Sequence, residues 1–195
     1  MEDSISSILI LVLLIIMSAY FSATETAYSS LNKIKLKSIA NKGNKKAKLA
    51  LELSEKYDSV ISTILIGNNI VNIATASLAT VLFTKLLGSS GVTVSTIVMT
   101  ILILIFGEIS PKSIAKDIPE SFAIVSAPLL NVFCIILKPV NHIFCLWKKL
   151  ISKVLKIQKH SGITEDEILT IAEEAENEGG INPQQLEIIK SAIEL

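Results

Sequence analysis

Three runs without a single charged side chain constrain this sequence most: residues 4–24, 59–84 and 86–107. A helix needs about 20 consecutive apolar residues to cross a bilayer, and each run supplies that length. Backbone groups in hydrocarbon must be paired within the protein, and uncharged runs of this length meet that demand as helices. The first run, "SISSILILVLLIIMSAYFSAT", follows Glu2 and Asp3. A secretory leader is basic at that point, shorter, and ends in a cleavage site, so the run reads as a retained span. "GSSG", residues 88–91, is a tight-turn signal. It folds the second and third runs into an antiparallel hairpin. The whole chain agrees: of 195 residues, 50% are hydrophobic, and a mean hydropathy of +0.58 exceeds that of ordinary soluble domains.

The charges are segregated. All 18 basic residues are lysine. Without arginine the chain has no bidentate phosphate clamp, and no nucleic-acid partner is expected. Residues 33–48 hold seven lysines and no acid. Lysine-rich loops stay on the cytoplasmic side. The expected topology is therefore a multi-pass protein of the cell (inner, plasma) membrane. Its N-terminus and GSSG turn lie outside, and Lys112, Lys116 and the C-terminus lie inside. Residues 31–56 read as one amphipathic helix on the inner leaflet, with membrane lipids as partners of its lysines. Cys134 and Cys145, eleven apart in an apolar stretch, read as buried small hydrophobes. His142 and His160 are isolated, which argues against a histidine-rich metal site.

Residues 121–137 form a shorter uncharged stretch that Pro128 is expected to break and Lys138-Pro139 to end. A second apolar piece, residues 140–147, precedes Lys148, Lys149, Lys153, Lys156 and Lys159. Lysines on both flanks imply a re-entrant helix pair that enters and returns on one face. From Gly162 the sequence turns soluble and acidic. Thr164 and Glu167 form a capping box. Ile168, Ile171, Ala172 and Ala175 stripe one helix, Gly179-Gly180 end it, and Pro183 starts another striped by Leu186, Ile189 and Ile193. One hairpin cannot bury both stripes, so a partner is implied. The pattern is still helical at Leu195, and a longer natural chain is expected. The fold class is thus an all-α membrane protein: three transmembrane helices, a re-entrant pair, an amphipathic juxtamembrane helix and a cytoplasmic acidic bundle. Residues 1–158 form the transmembrane domain and 159–195 the bundle.

Polar side chains inside spans are costly, so each is a candidate site. Ser18 and Ser22 are four apart and share a helix face; Glu25 follows three residues later. "IGNNIVN" carries Asn68 and Asn72, also four apart, beside Gly67. "FGEISPK" puts Gly107 and Glu108 before Pro111. Proline cannot donate to the carbonyl one turn earlier, so a break that frees the Gly107 carbonyl is expected there. Hydroxyls, amide oxygens, a carbonyl and a carboxylate form an all-oxygen set, which suits a hard divalent cation such as Mg²⁺. Each piece has a plainer reading. Intramembrane serines bond to their own helix, paired asparagines glue helices together, and a Glu at a membrane edge is commonly just exposed. The recurrence of oxygen pairs on two helices beside a broken third favours a site.

"YFSATETA", "LIGNNIVNIA" and "FGEISPK", in that order, resemble the transmembrane domain of the CorC/cyclin M (CNNM) magnesium transporters, whose bacterial members are often labelled hemolysin C-like. The likeness covers residue 5 to about 155, and "TEDEILTIAEEAENEGGINPQQLEIIKSAIEL" resembles the acidic helical bundle that follows in that family. The resemblance implies a homodimer that binds dehydrated Mg²⁺ in an inward-facing cavity, with Na⁺ as coupling ion. It places Ser18, Ser22, Asn68, Asn72, Gly107 and Glu108 on the metal-binding motif positions, and leaves Glu25 as a second cavity carboxylate. Ala23 and Thr24 stand where many members have Gly and Ser, so looser helix packing is expected. The family's nucleotide-binding CBS pair has no counterpart in these residues, so nucleotide would bind only through that missing part. The implied function is Mg²⁺ transport, as Na⁺-coupled export. The alternative is a membrane scaffold that anchors a cytoplasmic sensor and moves no ion. No Ser/His, Asp/Asp or HExxH pattern lies in the spans, so an enzyme is not expected.

Overall fold

The computed structural model describes residues 2–143, 165–177, 180 and 182–193. Among them every regular element is helical, as the charge-free runs require. The chain divides into two compact units, Met1–Leu146 and Trp147–Leu195. The boundary expected at 158 lies outside the described residues. So do residues 144–147 of the expected second re-entrant limb, the lysines that follow them, Thr164 and Gly179.

In the first unit, α1 (Glu2–Ser30), α4 (Tyr57–Leu87) and α5 (Gly91–Leu102) take up the three charge-free runs. A short 3₁₀ turn at Gly88–Ser90 closes the α4–α5 hairpin. α4 has 31 residues, roughly 46 Å at 1.5 Å per residue, longer than the hydrocarbon core. α5 runs without a stop into a π-helical segment, Ile103–Ile109, and then into α6, Ser110–Asp117. The expected break before Pro111 is therefore a widened turn. The Ser110 N–H donates to the Ile105 carbonyl, five residues back. This register absorbs the missing proline donor while the helix continues.

Two other expectations are corrected. The stretch 31–56 is two helices, α2 (Lys33–Asn41) and α3 (Lys45–Glu55). Asn32 and Asn44 each cap a helix by accepting two backbone N–H groups. Gly43 turns the chain between them at φ +89°, a left-handed conformation natural to glycine. Pro128 does not break α7 (Pro119–Ile136), which runs through it as one helix of 18 residues. The Tyr20 hydroxyl donates to the Ser126 carbonyl at 2.9 Å and ties α7 to α1 near that proline.

Between helices in lipid the hydrophobic effect is absent, so close packing of small residues takes over. Ala23 and Ala27 of α1, Ala47 and Ala50 of α3, Ala115 of α6, and Ala123 and Ala127 of α7 are all buried. Larger members of the same core are Phe21, Leu36, Ile64 and Leu130. Ala23 and Thr24 are 3% and 0% exposed, so the looser packing expected at these positions is not observed. α3 packs on α7, which holds the juxtamembrane pair against protein and not only against lipid. Glu120 of α7 ties down the start of α2, accepting from Lys35 Nζ at 2.9 Å and from the Asn32 N–H at 3.2 Å. The outward faces carry large apolar side chains such as Ile8, Leu9, Ile73, Val81 and Ile97, as lipid contact demands.

The second unit contains the helices Glu165–Asn177 and Pro183–Ile193. A reciprocal capping box starts the latter: the Gln185 N–H donates to Asn182 Oδ1 and the Asn182 N–H to Gln185 Oε1. Ala172 is buried, whereas Ile168, Ile171 and Ile188 stay exposed.

Candidate cation site

The site lies where α1, α4 and the π segment meet. α1 and α4 approach closely because residue 67 has no side chain. A Cβ there would lie 2.5–3.0 Å from atoms of the Phe21 ring. With that ring against the α4 backbone, Ser18 faces the two asparagines. Ser18 Oγ is 2.7 Å from Asn72 Oδ1 and 3.3 Å from Asn68 Oδ1. Asn72 Nδ2 in turn donates to Glu108 Oε1 at 3.3 Å. On the third wall, Gly107 is buried, and a Cβ there would sit 3.0 Å from Ser18 Oγ. The structure thus joins Ser18, Asn68, Asn72, Gly107 and Glu108 in one continuous cluster. Ser22 lies one helical turn along the same face of α1.

The hydroxyls elsewhere in the spans show what is unusual here. Thr24, Thr63, Thr75 and Thr80 each donate to the carbonyl four residues back in their own helix. Asn69 does the same with its amide. Ser18 donates across to α4 instead. Ser22 Oγ is fully buried and has no hydrogen-bond partner among the described residues. A buried polar atom left unpaired costs about 1–3 kcal/mol, so this one marks a place where a partner belongs.

The chemistry of the cluster follows from counting protons. Ser18 has one to give and stands before two amide oxygens; the shorter contact takes it. Lone pairs then remain on Asn68 Oδ1, Asn72 Oδ1 and both serine oxygens, with Glu108 alongside. Residue 111 is proline and brings no N–H to the widened turn that carries Gly107. Such an excess of acceptors fits a hard cation and resists an anion. No group of three or more His, Cys, Asp or Glu capable of holding a metal occurs among the described residues. A groove of about 250 Å³ between α4 and α5, lined by Thr80, Ser95, Thr96, Met99 and others, includes none of the cluster residues.

Two neighbours were not legible from spacing alone. Phe21 sets the α1–α4 approach. Lys112 forms an ion pair with Glu25 at 3.1 Å, so the carboxylate expected as a second cavity acid is already matched by a lysine. Spacing placed only Glu25, three residues after Ser22 on one face of α1.

Residues 9–185 match the family model described as the Cyclin M transmembrane N-terminal domain. A Haemophilus influenzae protein named "UPF0053 protein" is 35% identical over 191 residues, which cover 96% of this chain and 45% of that one. The Escherichia coli "UPF0053 inner membrane protein YfjD" is 33% identical over 182 residues, 91% of this chain and 42% of its own. A Haemophilus influenzae "Polyamine export protein" is 26% identical over 204 residues, 97% of this chain and 47% of its own. The chain spans under half the length of each of these relatives.

Proposed function

This chain belongs to the cyclin M (CNNM) transmembrane family, and from that premise we propose that it carries Mg²⁺ across the inner membrane as a multi-pass transporter. The observation that carries the reading is the acceptor-rich cluster: two asparagine oxygens on one serine hydroxyl, and a second, fully buried serine hydroxyl without a partner. Ser18, Ser22, Asn68 and Asn72 supply neutral oxygens, the Gly107 carbonyl a backbone oxygen, and Glu108 the charge. Neutral ligands let the site bind a largely dehydrated cation without fixing excess negative charge in a low-dielectric region when the ion leaves. The π turn keeps Gly107 against Ser18 in a helix that still spans.

The proposed cycle opens this cavity to the cytoplasm, takes up Mg²⁺ and exports it against an inward Na⁺ gradient. The lysines of residues 33–48 are all exposed and face anionic headgroups in this topology. Purified protein in liposomes, with Mg²⁺ inside and an imposed Na⁺ gradient, tests the cycle. Gradient-dependent Mg²⁺ flux supports it. Mg²⁺ binding without flux favours the scaffold reading, in which the chain anchors a cytoplasmic sensor.

One observation favours a second cargo. Glu25 already holds a primary ammonium, that of Lys112, and relatives are named polyamine export proteins. Competition of Mg²⁺ binding by a diamine in the same calorimetric cell separates the two cargoes.

A further inference from the structure

We infer that Lys112 is a built-in counter-cation that sets the affinity of the cation site by neutralising Glu25. The inference rests on the site reading above. Lys112 Nζ lies 3.1 Å from Glu25 Oε2 and bridges α1 to α6. Glu25 is three residues beyond Ser22, and Lys112 four beyond Glu108. Glu25 therefore sits about one helical turn past Ser22 on α1, and the ion pair brings the Lys112 ammonium to that end of the site. Among the described residues no lysine pairs with Glu108. The local groups are thus two carboxylates and one ammonium, with one net negative charge.

As a mechanical clamp the pair is weak. Its side chains are 42% and 27% exposed, and ion pairs open to solvent contribute little to stability. As a charge it acts differently. The neighbouring site is half-buried and bordered by apolar helix, so a unit charge a helical turn away is screened far less than in water. Removing the ammonium leaves two carboxylates at one end of the site. A divalent cation is then held more tightly, and Glu25 becomes available to it. A transporter needs binding strong enough for entry and weak enough for release. Lys112 supplies the second condition.

The test is Mg²⁺ calorimetry on the full chain in detergent, at low and high salt. Lys112→Gln is expected to tighten Mg²⁺ binding about three- to tenfold at low ionic strength, and Glu25→Gln to weaken it by a similar factor. Both effects shrink in 0.5 M salt, on the order of a 4–5 Å screening length. The double variant returns to within about twofold of the parent, because the net local charge is restored. Lys112→Arg keeps parent affinity. A clamp would behave otherwise: both single variants would weaken binding, lower the thermal midpoint and ignore salt. Unchanged or weaker binding in Lys112→Gln overturns the inference. If that variant does not fold, Glu25→Gln decides through its salt dependence: weaker binding at low salt that recovers in 0.5 M salt supports the inference, and unchanged, tighter or salt-independent binding overturns it. A parent that binds no Mg²⁺ removes the site reading, and this inference with it.

Discussion

Ser18 and Ser22 part company with Thr24, Thr63 and Thr75 by leaving their own helix carbonyls alone. That distinction could not be read from spacing. The i, i+4 pairs showed which residues share a face; they did not show whether each hydroxyl turns inward to its helix or outward to a neighbour. The close approaches were half legible. Glycine at 67 announced that something comes near, but Phe21 as the occupant emerges only in three dimensions. The same reasoning gives a prediction at residue 107. In Gly107→Ala the new Cβ would lie 3.0 Å from Ser18 Oγ. Overpacking of this kind costs about 1–3 kcal/mol. Here it displaces the hydroxyl that faces both asparagines. Mg²⁺ affinity measured by calorimetry should fall about tenfold or more, with helical content unchanged by circular dichroism. Parent-like affinity would show that Ser18 is no ligand.

Elements were easiest to read where one signal stood alone. Charge-free length gave α1, α4 and α5, and GSSG gave the turn between the last two. Competing signals were harder. In residues 31–56 strong helix formers hid "NKGN", although Gly43 turns the chain after α2 and Asn44 caps the start of α3. Proline was overread twice. α7 passes through Pro128, and Pro111 widens a helix without breaking it. The π turn is also the element on which function should depend. Pro111→Ala restores a backbone donor at 111 and removes the ring that excludes a regular turn. The segment should relax toward α-helix, raise the thermal midpoint slightly and draw Gly107 away from Ser18. A loss of Mg²⁺ affinity without loss of stability is expected. A variant that binds as the parent does would show that the widened turn plays no part in the site.

At the scale of the molecule, a small membrane unit surrounds a polar cluster, and the second unit leaves Ile168, Ile171 and Ile188 exposed. We predict a two-fold homodimer in detergent, since closed two-fold pairing is the commonest way to cover such faces. Multi-angle light scattering at micromolar protein should give twice the 21.1 kDa chain mass, and a monomer mass would count against it. Orientation has its own check. In a background free of Cys134 and Cys145, Ser161→Cys should resist an impermeant thiol reagent on intact cells. Labelling from outside would refute the re-entrant topology.

We predict that Mg²⁺ binds among the oxygens of Ser18, Ser22, Asn68, Asn72, Gly107 and Glu108. Calorimetric titration of the parent, Asn72→Ala and Ser22→Ala with Mg²⁺ tests it most directly. Alanine preserves helix at either position. Asn72→Ala removes the contacts to Ser18 and Glu108, and Ser22→Ala removes the buried hydroxyl that lacks a partner. The parent should bind saturably, while each variant stays folded with the parent's oligomeric mass and loses measurable binding. Parent-like binding in Asn72→Ala would mean that the asparagines only join α4 to its neighbours, and the site reading would fail.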